Sequence, residues 1–311
     1  MTACTVAEQR ILAESEWAPR AEGHRGRVAS FTAAHRARAG HGQTHPVWDF
    51  LFTYYSLRPR QLGVWHPGFG TVLAGPGGGR YLTRPGYVAA DGGVTVGTDY
   101  LRSRLGAVGF VAGLLRSTAS RPPRFGCFGM HEWAMVYRAG GVRHADVPLR
   151  LGSAGTDAVV ESMPLRCSHF DAYRFFTAPA AARNEGRPTR ATQGDWEQPG
   201  CLHANMDVYK WCYKLSPLVD SDLLMSCLEL AAEARVLDMQ ASPYDLREFG
   251  FEPVAVEEPA GRAEYVRRQT LVSERAAPLR AALLKRCEQL LACEQPAGPL
   301  RRAVGARSAD R

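Results

Sequence analysis

Three short segments of the chain repeat one grammar: a cysteine, a histidine, a carboxylate, then an aromatic residue with a basic one beside it. They are Cys127…His131-Glu132-Trp133…Tyr137-Arg138, Cys167-Ser168-His169-Phe170-Asp171…Tyr173-Arg174 and Cys201…His203…Asp207…Tyr209-Lys210-Trp211. Cys, His and Trp are usually at least partly buried. Three imidazoles, each near a carboxylate and surrounded by apolar and aromatic residues, therefore point to one polar constellation set into a core. A carboxylate beside an imidazole fixes its tautomer and raises its basicity, which serves general-base work and metal ligation alike. If 201–213 is a helix, His203 and Asp207 share a face, with Trp211 one further turn along. The same spacing also fits a plain hydrogen-bonded pair on a partly exposed helix. On a strand, Asp171 would lie on the same side as His169, whereas the adjacent His131 and Glu132 would point oppositely.

Two chemistries use these parts. Enzymes that cut a base from a nucleic acid extrude it, hold it between aromatic rings and read its edge by hydrogen bonds. Trp133, Tyr137, Phe170, Tyr173, Tyr209 and Trp211 would supply that base pocket. Asp171, Asp207 or Glu132, with His169 and His203, would supply the catalytic groups that orient water and stabilise an oxocarbenium-like sugar. This chemistry needs no cofactor. The alternative is a transition metal such as zinc or iron held by His131, His169 and His203, in an enzyme acting on a small molecule. Those histidines have no local HxH or HxxxH anchor. A noncatalytic binding protein is the third option, disfavoured by so many polar groups within aromatic segments. The chain has no P-loop, because "GPGGGR" lacks the Lys-Ser/Thr pair; it also has no G-x-S-x-G elbow and no HExxH.

A chain of 311 residues with 45% hydrophobic content can bury a proper core. The formal charge is +7, from 38 Lys plus Arg against 31 Asp plus Glu, and nearly all the cations are arginine. Arginine makes bidentate contacts with phosphate and stacks on rings, so such a surface is compatible with nucleic acid. No apolar run approaches the ~18 residues that a membrane span needs. The N-terminus lacks an apolar signal region, so a cytoplasmic protein with no membrane partner is expected. Eight scattered cysteines with no CxxC pair read as reduced, buried thiols.

The elements that must position the three segments are mostly helices. The stretch 1–42 is read as an N-terminal helical extension ending at Gly40 and Gly42, its apolar stripe including Ile11, Leu12, Trp17, Val28 and Phe31. A short buried helix is expected over 46–57, and loops with small strands over 68–100 ("TVLAG", "RYLT", "VTVG"). The spacing of Leu101, Leu105, Val108, Val111, Leu114 and Leu115 predicts a helix that stops at Pro122-Pro123. "WAMVYRAGGVRHADVPLRLG" reads as a β-hairpin and "RCSHFDAYRFFT" slightly better as a strand than as a helix. From Cys201 the signal is helical. Asp220 or Ser221 should cap a second helix with Leu223, Cys227, Leu230, Ala234 and Leu237 buried, and a last helix should run over 261–294. The expected fold is α+β: one main domain over 43–294, helical at both ends with a small central antiparallel sheet, and a flexible basic tail over 295–311.

Longer strings add a resemblance. "HPVWDFLFTYYSLRPRQLGVWHPG", "RFGCFGMHEWAMVYR", "LRCSHFDAYRFFT", "EQPGCLHANMDVYKWCYKLSPLV" and "LDMQASPYDL" resemble an actinobacterial family labelled 3-methyladenine DNA glycosylase, over roughly residues 8–285. The resemblance implies a DNA-repair hydrolase that excises alkylated purines such as 3-methyladenine from damaged duplex DNA by water attack at the anomeric carbon. Under that expectation Arg102, Arg104, Arg116, Arg121, Arg124, Arg183, Arg187 and Arg190 would contact the nucleic-acid backbone. The chain has no L-P-G-type hairpin of the helix-hairpin-helix glycosylases, and the resemblance carries over no catalytic residue. The site nominations rest on the chemical reading alone.

Overall fold

The computed structural model describes residues 9–140 and 146–293. Its four strands are β1 (Arg10–Leu12), β2 (Thr71–Leu73), β3 (Tyr87–Ala90) and β4 (Gly93–Val96), arranged β1-β2-β4-β3. β3 and β4 form a hairpin turned by Asp91-Gly92, with Gly92 at φ +80°, a backbone state that favours glycine. β2 runs antiparallel to β4, but β1 pairs parallel with β2, Ile11 opposite Val72. The sheet is therefore mixed, and all four of its strands precede residue 97. Ile11 and Leu12 do not belong to a helical stripe: Ile11 is 60% exposed and Leu12 buried, the alternation of a strand too short to declare its period.

Helices make up most of the rest. In the N-terminal half they are α1 (Glu14–Gly40), α2 (Phe50–Thr53), α3 (Pro59–Leu62) and α4 (Thr98–Ala119). The middle of the chain supplies short ones: α5 (Met130–Val136), α6 (Gly152–Ser162), α7 (Phe170–Tyr173), α8 (Ala178–Arg183) and α9 (Gln193–Trp196). The C-terminal part supplies α10 (Leu202–Lys214), α11 (Ser221–Gln240) and α12 (Pro259–Ala292). The α10, α11 and α12 helices pack on one another, and α4 lies along α12. Asp220 caps α11 by accepting from the Leu223 N–H at 2.9 Å, as its residue type dictates. Cys227, Leu230, Ala234 and Leu237 are buried as expected, with Leu223 only partly so.

The described residues form one α+β domain. Trp17, Ala21 and Val28 of α1 lie in the same apolar cluster as Leu115 of α4 and Met206 of α10, and the Trp17 indole donates to the Ala74 carbonyl at 2.8 Å. The 1–42 stretch thus contributes to the common core. The tail over 295–311 lies outside the described residues. Among the described residues no helix is long and apolar enough to cross a membrane.

Several local expectations are corrected. Residues 130–136 form helix α5, not the first arm of a hairpin; the hairpin's proposed turn at Gly141 lies outside the described residues. Residues 170–173 are one helical turn instead of a strand. "RYLT" falls in a 3₁₀ helix over Pro76–Thr83. The expected helix over 46–57 shrinks to α2 and flanking turns. Each is a short run, and short runs carry no usable periodicity.

Candidate active site

Helix α10 is the element around which the site is built. Every residue from Leu202 to Cys212 is buried, so its polar side chains must find partners inside the protein. His203, Asp207 and Lys210 follow one another at three- and four-residue spacing and lie along one face. They meet two separate groups.

The first group joins α5, α10 and α11. His131 Nε2 and Asp238 Oδ1 are 2.7 Å apart. Arg235, one turn before Asp238 on α11, donates to Asp238 Oδ2 at 2.7 Å and to Glu132 Oε1 at 3.0 Å. It also donates to the Pro46 carbonyl, and its guanidinium lies 4.1 Å from the centre of the Phe50 ring. The His203 ring sits edge-on to His131, centroids 4.4 Å apart. His131, His203 and Asp238 each present a ligand atom within 4.8 Å of the others, and all three are buried. Among the described residues His203 has no hydrogen-bond partner. Burial, and then the neighbouring His131, push its pKa well below 6.5, so its imidazole is neutral with a lone pair available. Asp238 is held ionised: burial works against this, but His131 and His203 outweigh it and lower its pKa. Two carboxylates, Glu132 and Asp238, face one guanidinium here, leaving room for a further positive charge.

The second group is already compensated. His169 Nε2 lies 3.1 Å from Asp207 Oδ2 and 3.4 Å from Glu197 Oε1. Lys210 bridges Asp207 and Asp171, the latter at 2.9 Å. Arg190 adds a contact to Asp171 at 3.1 Å, and Tyr55 donates to Asp207 at 3.2 Å. Burial alone would raise the pKa of Asp207, but Lys210 and then His169 hold it well below the usual carboxylate range. Burial would lower that of His169, but Glu197 and Asp207 raise it. The His169 and His203 rings stack at 5.3 Å between centroids, so the three histidines converge while their polar partners divide into two sets.

Two members of the first group, His131 and His203, open onto a pocket. A pocket of about 280 Å³ has His131 and His203 among its lining, and all three cysteines of the repeated grammar, Cys127, Cys167 and Cys201, share it. Exposed Arg124 and Arg166 line it on the solvent side. Burial raises the Cys127 and Cys201 pKa values and pushes Cys167 to about 12. These thiols are protonated at neutral pH and are poor nucleophiles.

The nominated residues separate accordingly. His131 and His203 line the pocket, whereas His169, Asp171 and Asp207 sit in the compensated network and Glu132 pairs with Arg235. Adjacent His131 and Glu132 are both buried, which α5 permits and a strand with one buried face would not. The six nominated rings pack elsewhere. Trp133 donates to the Ala241 carbonyl at 2.8 Å and Tyr137 to Glu161 at 2.9 Å. Phe170 lies beneath Arg190, and Tyr173 packs on Phe176. Tyr209 abuts Tyr55, and Trp211 abuts Phe110. Phe176 is the only Phe, Tyr or Trp lining the pocket. Of the nominated backbone-binding arginines, Arg124 lines the pocket. Arg121 is tied to the Ser117 and Glu197 carbonyls, Arg183 to the Glu161 carbonyl, and Arg190 to Asp171 and Gln193; Arg187 is exposed.

Sequence reasoning missed Asp238, Arg235, Glu197 and Lys210. The one available signal was the Arg-x-x-Asp pair Arg235 and Asp238 of α11, which brackets Val236 and Leu237 and shares a helix side with the apolar stripe, where a charged pair has to face a polar partner. No family model, curated protein or solved structure matches the chain.

Proposed function

We propose that the protein is a metal-dependent hydrolase acting on a small anionic molecule in this pocket, with His131, His203 and Asp238 as the ligands. One observation carries the reading: two imidazoles and a carboxylate gather within 4.8 Å, and both imidazoles line a pocket. Two histidines and a carboxylate suit zinc or iron(II). The neutral His203 is already in its ligating form, and Arg235 orients Asp238 from behind, as outer partners of metal ligands do. An ion held there would supply Lewis acidity and acidify a water molecule. Arg124 would receive the anionic end of the substrate, Arg166 being paired at 3.3 Å with Glu185, which also lines the pocket, and the pocket volume lies at the small end for ligand sites. The three-histidine set becomes two histidines and Asp238, because the ligand atoms of those three lie within 4.8 Å of one another whereas His169 groups with Glu197 and Asp207.

Excision of alkylated bases from DNA is the second reading, favoured by the arginine-rich surface. It has less support at the site, since Asp171 and Asp207 are neutralised by Lys210 and neither lines the pocket. One experiment separates the two. The purified protein is incubated with phosphate esters, carboxylate esters and amides, and in parallel with methylated duplex DNA, each with added zinc or iron(II) and with chelator. The metal reading expects turnover of a small anionic substrate that chelation abolishes and metal restores. Release of 3-methyladenine that survives chelation and is lost in Asp171→Asn or Asp207→Asn would replace it with base excision.

A further inference from the structure

A second concavity lies over α1 and shares no lining residue with the pocket of His131 and His203. It has a volume of about 650 Å³, within the range of small-molecule sites, and runs between α1, the loop after α3 and the 3₁₀ helix over Pro76–Thr83. Its floor includes Ala21 and Val28 of α1 together with Val64 and Trp65. Arg25, Arg36, Arg60, Arg80 and Arg84 stand around that floor, all exposed, with no Asp or Glu among the lining residues. Arg25 is paired with Glu22. The other four have no carboxylate partner among the described residues.

Tyr81 marks where the charge collects. Arg80 packs against the Trp17 and Tyr81 rings, 4.9 and 5.5 Å from their centres, which fixes where its guanidinium sits. Burial raises the pKa of the Tyr81 hydroxyl, and Arg80, Arg25 and Arg84 each act against that rise. Guanidinium groups from different parts of the chain therefore gather about one phenol oxygen, and like charges so placed repel unless an anion sits between them. Trp65, 2% exposed, has its indole N–H buried without a hydrogen-bond partner among the described residues. A donor so placed is ordinarily satisfied.

The ligand must answer both the charge and the apolar floor. A carboxylate brings a single charge, whereas a phosphate monoester brings close to two and three acceptor oxygens, and arginine pairs with it in bidentate fashion. Small-molecule sites combine apolar lining with a few fixed polar groups in this way. We infer that the groove is a binding site for a small organic phosphate monoester, its phosphate held by Arg80 and Arg84 beside the Tyr81 hydroxyl and its apolar body laid on Val28, Val64 and Trp65. An oxygen of the bound ester satisfies the Trp65 indole.

Isothermal titration calorimetry of the full chain with naphthylmethylphosphonate, a monoester analogue that a hydrolase cannot cleave, tests this. Naphthylacetate and inorganic phosphate are titrated in parallel. The phosphonate should bind, and both comparison compounds should bind at least about tenfold more weakly, one for want of charge and the other for want of the ring. Arg84→Gln should weaken phosphonate binding by about tenfold or more, the loss of one charge-assisted hydrogen bond, and Arg84→Lys should recover part of it. Arg124→Gln, in the other pocket, should bind like the wild type. Arg84 is exposed, so its variants should fold, and an unchanged thermal melt checks this. Absence of binding heat at millimolar phosphonate overturns the inference, as does unchanged affinity in Arg84→Gln. Naphthylacetate or inorganic phosphate binding as tightly as the phosphonate overturns it too, and so does a loss confined to Arg124→Gln, which would place the ligand in the pocket of His131 and His203.

Discussion

Replacing Lys210 by Met tests the division of the buried polar residues into two groups. In the folded protein Lys210 is 6% exposed and bridges Asp171 and Asp207, which are themselves buried. Met fills a similar volume but leaves two carboxylates facing each other with Arg190, Arg174 and His169 as their remaining cations. Breaking a buried ion pair by removing one partner costs about 3–5 kcal/mol. At roughly 2.1 cal/mol/K per residue, 311 residues have an unfolding entropy near 0.65 kcal/mol/K. The expected fall in Tm is therefore about 5–8 °C by calorimetry, and Asp207→Asn in the same chain should return part of it. The variant should still bind metal, because no ligand of the first group touches Lys210. A Tm within about 1 °C of wild type would refute the reasoning, as would loss of metal from a fully folded variant.

Two further expectations concern titration and reactivity. His169 has its pKa raised above 6.5, so its contribution to stability is full below about that value and is lost as pH rises through the folded pKa. Asp207 has its pKa lowered from 3.8, so its contribution is present above that value and is lost as pH falls towards the folded pKa. Thermal melts against pH should therefore peak between about 4 and 6.5, with the alkaline decline reduced in His169→Gln; a peak above pH 8 would contradict the assignment. Cys167 lines the pocket with its pKa pushed up to about 12. Iodoacetamide at pH 8 should leave it largely unmodified in the folded protein and alkylate it readily in denaturant, as peptide mass spectrometry would show. Rapid labelling of the native protein would contradict a protonated thiol.

Much of the helical framework was legible. Helices α4 and α11 carry apolar residues at sustained helical spacing, α10 and α12 also read as helical, and the α11 cap was narrowed to Asp220 or Ser221. The convergence of His131, His169 and His203 was also foreseeable, since three histidines in apolar surroundings have few places to go except one core. What was not legible is which carboxylate each would meet. His203 and Asp207 share a helix face as expected, yet Asp207 turns to His169 and Lys210, while His203 faces His131 and Asp238, 72 and 35 residues away in sequence. Local spacing fixes a face but not the helix that packs against it. The aromatic residues were over-interpreted for the same reason: Trp133 and Tyr209 are nearly inaccessible because they fill the core, and a ring's type alone does not distinguish packing from a ligand pocket. α5 was misread because a fully buried short segment shows no alternation, and α7 because a single turn is too short to show any period.

The ligand set of His131, His203 and Asp238 can be tested by metal retention. Elemental analysis of the full chain, after incubation with zinc or iron(II) and removal of free ion, addresses it directly. Wild type should retain about one ion per chain. His203→Ala should retain little while keeping its fold, because among the described residues His203 has no hydrogen-bond partner to orphan, and Lys210→Met should retain the ion as the wild type does. Failure of the wild type to retain either metal, or equal retention by folded His203→Ala, would contradict the claim.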